Sequence, residues 1–290
     1  MHPDLQTPAT LIILAVTAVV SILAFRDRRL WERLMFKPRE ILADKEYDRM
    51  LTSGFIHGDG FHLAFNAYSL LACGRGIEAI YGIKTLLLVY FSSILGGSLL
   101  GLFIHRHHDY RALGASAGVC GLLFASIFLL PGGSIRLFFI PIGIPAYLFA
   151  VLFLVFSFVM MRRGKDNIGH DAHIGGAIVG LLVATAMYPN MMSANPAMYA
   201  AVMVLSVLIL LVTLFDPLRL LDKGMRVVRD GDPPKGSERF QRYDDARKRN
   251  AKLAEIDRLL DKVSAEGIQS LSRTEREKLD QLSKEFRDRR

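Results

Sequence analysis

Long apolar blocks separated by polar, mostly basic connectors fill the chain to about residue 215, where the pattern stops. A bilayer's hydrocarbon core, about 30 Å thick, asks a spanning helix for roughly 17 to 25 apolar residues. The candidates lie near 9–25, 62–81, 85–104, 116–130, 142–161, 171–188 and 197–215. They predict an all-α fold, a polytopic membrane helix bundle of seven spans. The first block is not read as a cleaved signal peptide: it lacks a basic n-region, and Arg26-Asp27-Arg28-Arg29 follows at once without a small-residue cleavage pattern.

Two polar regions carry patterns of their own. Between the first two blocks, Leu30, Trp31, Leu34, Met35 and Phe36 recur among basic residues at helical spacing. They predict a short amphipathic helix in the membrane interface, with Trp31 as its anchor and Pro38 as its end. After Phe215-Asp216-Pro217 no apolar block returns, and the turn-forming run Gly231-Asp232-Pro233-Pro234-Lys235-Gly236 reads as a linker. Beyond it Leu253, Ile256, Leu259, Leu260 and Val263 are helically spaced, and Leu279, Leu282 and Phe286 repeat the pattern after Gly267. Ser272-Arg273-Thr274-Glu275 offers a capping box for the second stretch. The tail is thus predicted to be a helical hairpin, too small to bury much alone and suited to a protein partner or to self-association. It resembles the short bacterial C-terminal helical modules of the SHOCT type.

Composition adds little that the pattern does not say. The formal charge of +8 sits in connectors and tail, beside membrane segments where it meets anionic head groups, so the implied partner is the lipid bilayer and not nucleic acid. Cys73 and Cys120 fall inside predicted spans and read as small buried residues. His105, His107 and His108 have no acidic or cysteine ligand at a supporting spacing beyond Asp109; they read as a polar connector, and neither a metal nor a cofactor is expected.

The chemistry lies inside the apolar blocks. Gly114-Ala115-Ser116-Ala117-Gly118 opens one block, and Asp171-Ala172-His173-Ile174-Gly175-Gly176 opens another. Reactive groups at membrane depth are costly and so are functional candidates. A serine hydroxyl needs a base to become a nucleophile, and His173 supplies one for Ser116. Glycines flanking a serine let the chain turn sharply into a helix, exposing the hydroxyl and leaving backbone N–H groups for an oxyanion. Ala117, Gly121 and Ala125 form a ridge of small residues on one helix, and Gly176 and Gly180 follow His173 along its own face. Such ridges let two helices approach closely enough for a direct Ser–His contact. His62 and Asn66, at i and i+4 near the start of the second block, share one face and could hold an oxyanion. Asp171 lies about 200° around the helix from His173 and is assigned no catalytic role.

These residues, with Thr52-Ser53-Gly54-Phe55-Ile56-His57 leading into His62 and Asn66, Gly74 to Glu78, and the Ser116 and His173 motifs, resemble the rhomboid intramembrane serine proteases over about residues 9–190. The resemblance implies a six-helix catalytic core, a Ser116–His173 dyad without an acid, and an oxyanion hole of His62, Asn66 and the Ser116 N–H. It implies an endopeptidase cutting transmembrane or juxtamembrane segments of membrane proteins, in a bacterial cell (inner) membrane. Ala117 stands where many members place a glycine, and the seventh span and charged tail exceed the core. The resulting division is a catalytic membrane core over 1–190, an additional transmembrane helix over 191–222 and a soluble tail over 223–290. The alternative is a non-catalytic rhomboid-like protein that binds client proteins; such relatives lack the serine or the base, and both are present here. A soluble α/β-hydrolase with the same motif is disfavoured, because no credible strand precedes Gly114 and the rest of the chain is membrane-like.

Charge also predicts orientation. With seven spans, the connectors over 26–50, 105–113 and 162–170 share one side with the tail and carry eight, two and three Lys or Arg, against Arg75, Lys84 and Arg136 on the other. The positive-inside rule then puts the tail in the cytoplasm, whereas the resemblance implies that the first connector faces away from it. A fluorescent reporter joined after Arg290 is expected to fluoresce as a cytoplasmic one does; signal only from a reporter that works outside the cytoplasm contradicts the charge argument.

Overall fold

In a computed structural model of the chain, the described residues are 7–107, 109–135, 143–163, 168–194, 196–215 and, in the tail, 256, 259, 261–263, 268–272, 274–276 and 278–280. The helices are α1 (Pro8–Arg26), α2 (Arg28–Leu34), α3 (Pro38–Ala43), α4 (Arg49–Thr52), α5 (Gly60–His105), α6 (Ser116–Leu129), α7 (Ala146–Arg163), α8 (His170–Met187) and α9 (Pro196–Phe215). A two-residue hairpin, Ser134–Ile135 against Ile144–Pro145, precedes α7. Among the described residues α1, α5, α7 and α8 are long and apolar enough to cross a membrane, while α6 and Tyr199–Phe215 are shorter apolar helices. The chain is a multi-pass, helical membrane protein.

The 46 residues of α5 hold a non-helical glycine, Gly82, at φ 83° and ψ 169°. His62 and Gly97 lie on either side of it, and both reach the segment over 114–117. A continuous helix would set these two residues roughly 50 Å apart, so α5 folds back on itself at Gly82. The left-handed φ is one that glycine adopts without a Cβ penalty. Nearby, Thr85 Oγ1 donates to the Tyr81 carbonyl at 2.8 Å, and Tyr188 OH lies 2.7 Å from the same hydroxyl, which satisfies a carbonyl that the reversal frees.

The centre of the bundle is α5, α6 and α8, packed mainly on one another. A Cβ at Gly176 would come within 2.9 Å of Ala117 Cα, one at Gly180 within 2.7 Å of the Gly121 carbonyl carbon, and one at Gly175 within 2.7 Å of the Gly96 carbonyl oxygen. Helix backbones therefore touch at all three crossings. Without a hydrophobic force between helices in lipid, such contact is what holds them together.

Outer elements are tied in by polar groups. Glu78, buried in α5, accepts the N–H groups of Ala9 and Thr10 at 2.8 Å and the Thr10 hydroxyl at 2.6 Å. A carboxylate at a helix N-terminus satisfies orphan donors and meets the positive end of the helix dipole. In the connector after α1, Pro38 begins α3 instead of ending the amphipathic stretch, as suits a residue whose missing N–H costs nothing at a helix start. Trp31 is half-buried, and its indole N–H donates to the His57 carbonyl at 3.4 Å. Arg49 is buried and donates to the carbonyls of Glu32 and Met35 at 2.8 and 2.9 Å. Part of the connector's charge is therefore structural.

Chain contacts divide the molecule into a membrane unit and a tail unit. In the tail, Leu259 and Leu271 are buried, and the capping box forms reciprocally: Ser272 N–H donates to Glu275 Oε2 at 2.9 Å and Glu275 N–H to Ser272 Oγ at 3.2 Å. Those bonds, with Lys262, hold the Glu275 carboxyl down at about 2. The linker over 231–236 and Leu253, Leu260, Gly267, Leu282 and Phe286 lie outside the described residues.

Candidate active site

Ser116 is the first residue of α6, and His173 lies in the first turn of α8. The glycine contacts between α6 and α8 draw the two starts together, and His173 Nε2 sits 2.8 Å from Ser116 Oγ. That is hydrogen-bond distance. Both residues are half-buried, as are Gly114 and His62, so the hydroxyl is not sealed within the bundle.

The two motif glycines have separate tasks. Gly114 has φ +124°, which a side chain would strain, and a Cβ there would lie 2.9 Å from His62 Nε2 and 3.9 Å from Ser116 Oγ. The His62 ring and the Ser116 hydroxyl thus border the same small space. Gly118 makes room for Tyr90, whose ring would be 2.6 Å from a Cβ at that position. The N–H groups at the start of α6, beginning with Ser116, have no intrahelical acceptor.

His62 sits in the first turn of α5, which Asp59 caps by accepting the His62 N–H at 2.8 Å. Its Nδ1 receives the Gly58 N–H at 3.4 Å. Asn66 is buried one turn on and donates one amide hydrogen to the His62 carbonyl at 3.0 Å, which leaves its second hydrogen to donate elsewhere.

His57 stands behind the turn that precedes Ser116. It is fully buried. Its Nε2 accepts the Ala115 N–H at 3.3 Å, and its Nδ1 lies 3.0 Å from Ser21 Oγ, whose hydroxyl donates to the Phe55 carbonyl at 2.9 Å. One tautomer satisfies all of this: a proton on Nδ1, donated to Ser21, and a bare Nε2 facing the nucleophile turn. Burial first, then the neighbouring His62, pushes the imidazole down to about 3, in keeping with a ring that accepts at Nε2. With the Gly114 N–H bonded to the Ser53 carbonyl at 2.9 Å, His57 fixes the turn from which Ser116 projects.

Asp171 does not face the base. Its carboxylate meets Tyr110 and His105, and His105, expected in a polar connector, is instead the last residue of α5. His108 lies outside the described residues.

Residues 44–190, half of the chain, match the rhomboid domain, and the chain belongs to the rhomboid family. It is 32% identical over 153 residues to RHOMBOID-like protein 12, mitochondrial, of Arabidopsis thaliana, an alignment covering 46% of this chain and 44% of that protein. It is 30% identical over 151 residues to Rhomboid protease GluP of Bacillus subtilis, covering 52% and 28%. With Rhomboid protease AarA of Providencia stuartii the identity is 27% over 157 residues, covering 46% and 53%. The chain thus spans about half or less of the length of these relatives. Residues 241–285 match a family of unknown function, DUF6576.

The neutral His57 gives the fold a pH dependence of defined sign. Its folded value lies below the ordinary 6.5, so the unfolded chain takes up a proton that the folded one refuses. The stabilisation is complete above about 6.5 and is lost as pH falls toward 3. Thermal unfolding in detergent is expected to show His57→Gln, which keeps an acceptor and a donor, losing less stability between pH 7 and pH 4.5 than the native chain. Parallel pH profiles contradict the assignment.

Proposed function

We propose that the chain is an intramembrane serine endopeptidase, with Ser116 as nucleophile and His173 as its base. The carrying observation is the 2.8 Å approach of Ser116 Oγ to His173 Nε2, between helices whose glycines let the backbones touch. Attack of Oγ on a scissile carbonyl carbon passes its proton to His173. The tetrahedral oxyanion is held by the Ser116 N–H, with His62 and Asn66 as further donors. His173 then protonates the leaving amine and activates the water that frees the acyl group.

The substrates are membrane proteins with a transmembrane segment. A helix shields its own carbonyls, so the segment must unwind locally before attack, which favours small residues and helix breakers near the cut. Packing of α7 mainly on α8 and α9, and little on α5, supports sideways entry between α7 and the first arm of α5. In this reading α6 and α9 are also embedded, which makes a six-helix core over 1–190, an additional transmembrane helix over 191–222 and a tail over 223–290. The setting is a bacterial inner membrane, although one relative above is mitochondrial by name.

Purified protein in liposomes, given a quenched fluorescent substrate bearing a transmembrane segment, tests the proposal. Ser116→Ala and His173→Ala are each expected to abolish cleavage, and the double variant to be no worse than either, because the pair acts as a unit. Asn66→Ala is expected to retain activity lowered by about 10² to 10³-fold, the effect of losing one oxyanion donor. Near-native turnover in His173→Ala contradicts the dyad.

A further inference from the structure

Asp171 is a carboxylate with 3% of its surface exposed, two residues from the proposed base. Burying a charge at such a place costs several kcal/mol unless it is paired, so what it touches bears on why it is there. Tyr110 OH donates to Asp171 Oδ1 at 3.2 Å. His105 Nε2 lies 3.3 Å from Oδ2, an ion-pair distance off the line of a hydrogen bond. The His105 and Tyr110 rings stack face to face at 3.6 Å and 6°. A Cβ at Gly101 would come within 2.9 Å of Oδ2, so the carboxylate fits only because α5 carries a glycine there.

The cluster joins three segments that the dyad needs in register. His105 ends α5, Asp171 belongs to the first turn of α8, and Tyr110 stands in the segment that leads to Gly114 and Ser116. That segment is itself anchored, since Ala112 and Phe36 exchange backbone hydrogen bonds at 2.9 and 3.1 Å and Phe36 packs edge-on against Tyr110. Burial and the facing carboxylate hold the Tyr110 phenol well above its ordinary value, so it remains a donor.

Asp171 and His173 project from opposite sides of α8. Their side chains end roughly 5 to 6 Å from the helix axis, so a 20° rotation of the helix would carry the His173 ring about 2 Å. That is enough to lose a hydrogen bond to Ser116. Resting on the proposed Ser116–His173 dyad, we infer that Asp171, clamped by Tyr110 and His105, is a positioning residue that sets the rotation of α8 and so aims His173 at Ser116. The sequence gives this carboxylate no role because a catalytic acid would have to face the base; a clamp has to face away from it.

The test uses the full chain in liposomes with the quenched transmembrane substrate, and Ser116→Ala in parallel. Asp171→Ala is expected to lower kcat by tenfold or more with KM within twofold, and Asp171→Asn, which still accepts the Tyr110 hydroxyl, to restore most of it. Tyr110→Phe removes one hydroxyl and keeps the ring stack, so it serves if Asp171→Ala does not fold; a three- to tenfold loss in kcat is expected, and the double variant is expected to be no worse than Asp171→Ala alone. Native kcat in Tyr110→Phe while Ser116→Ala is silent overturns the clamp alone. Equal damage from Asp171→Asn and Asp171→Ala also overturns it, and cleavage that survives Ser116→Ala overturns the dyad and the clamp together.

Discussion

Everything at the site depends on how closely three helix backbones approach in a medium that does not push them together. Lipid is as apolar as leucine, so association rests on van der Waals contact and interhelical hydrogen bonds. Gly175, Gly176 and Gly180 of α8 lie against backbone atoms of Gly96, Ala117 and Gly121. A methyl group at any of them would meet main chain that cannot rotate away. The same contacts that stabilise the bundle thus fix the distance between the first turns of α6 and α8, where Ser116 and His173 stand.

Around this apolar centre, polar groups are used sparingly and with partners. Glu78 caps α1 through three hydrogen bonds. His57 links the turn before Ser116 to Ser21 in α1. Each ties a peripheral element to α5 or α6 at a place where an unsatisfied group would cost about 1–3 kcal/mol or more. The site is thereby held from both sides, by contact among the central helices and by hydrogen bonds from the connector that precedes α5.

How much of this the sequence displays follows from the kind of signal each feature leaves. The apolar blocks and the small-residue ridges are periodic, so the helices and the α6–α8 crossing can be read from spacing alone. Gly96 and Gly97, which bring the second arm of α5 into the same contact, stand in Ser92-Ser93-Ile94-Leu95-Gly96-Gly97-Ser98, where no ionisable residue directs attention to them. Pro38 was expected to end a helix and begins one, because proline suits both boundaries. His57 and Asp171 are visible as polar residues near the motifs, yet their partners Ser21, Ala115, Tyr110 and His105 are 36 or more positions away. Long-range hydrogen bonds of that kind have no local spacing to betray them.

In the proposed mechanism His173 makes Ser116 a nucleophile. Reaction of the native protein in liposomes with a fluorophosphonate, followed by mass spectrometry of the peptide over 114–118, measures this directly and needs no knowledge of the natural substrate. The account predicts a single adduct on Ser116 in the native chain and at most a trace in folded His173→Ala. Equal labelling of the two proteins, or no adduct on Ser116 in a folded native sample, would contradict it.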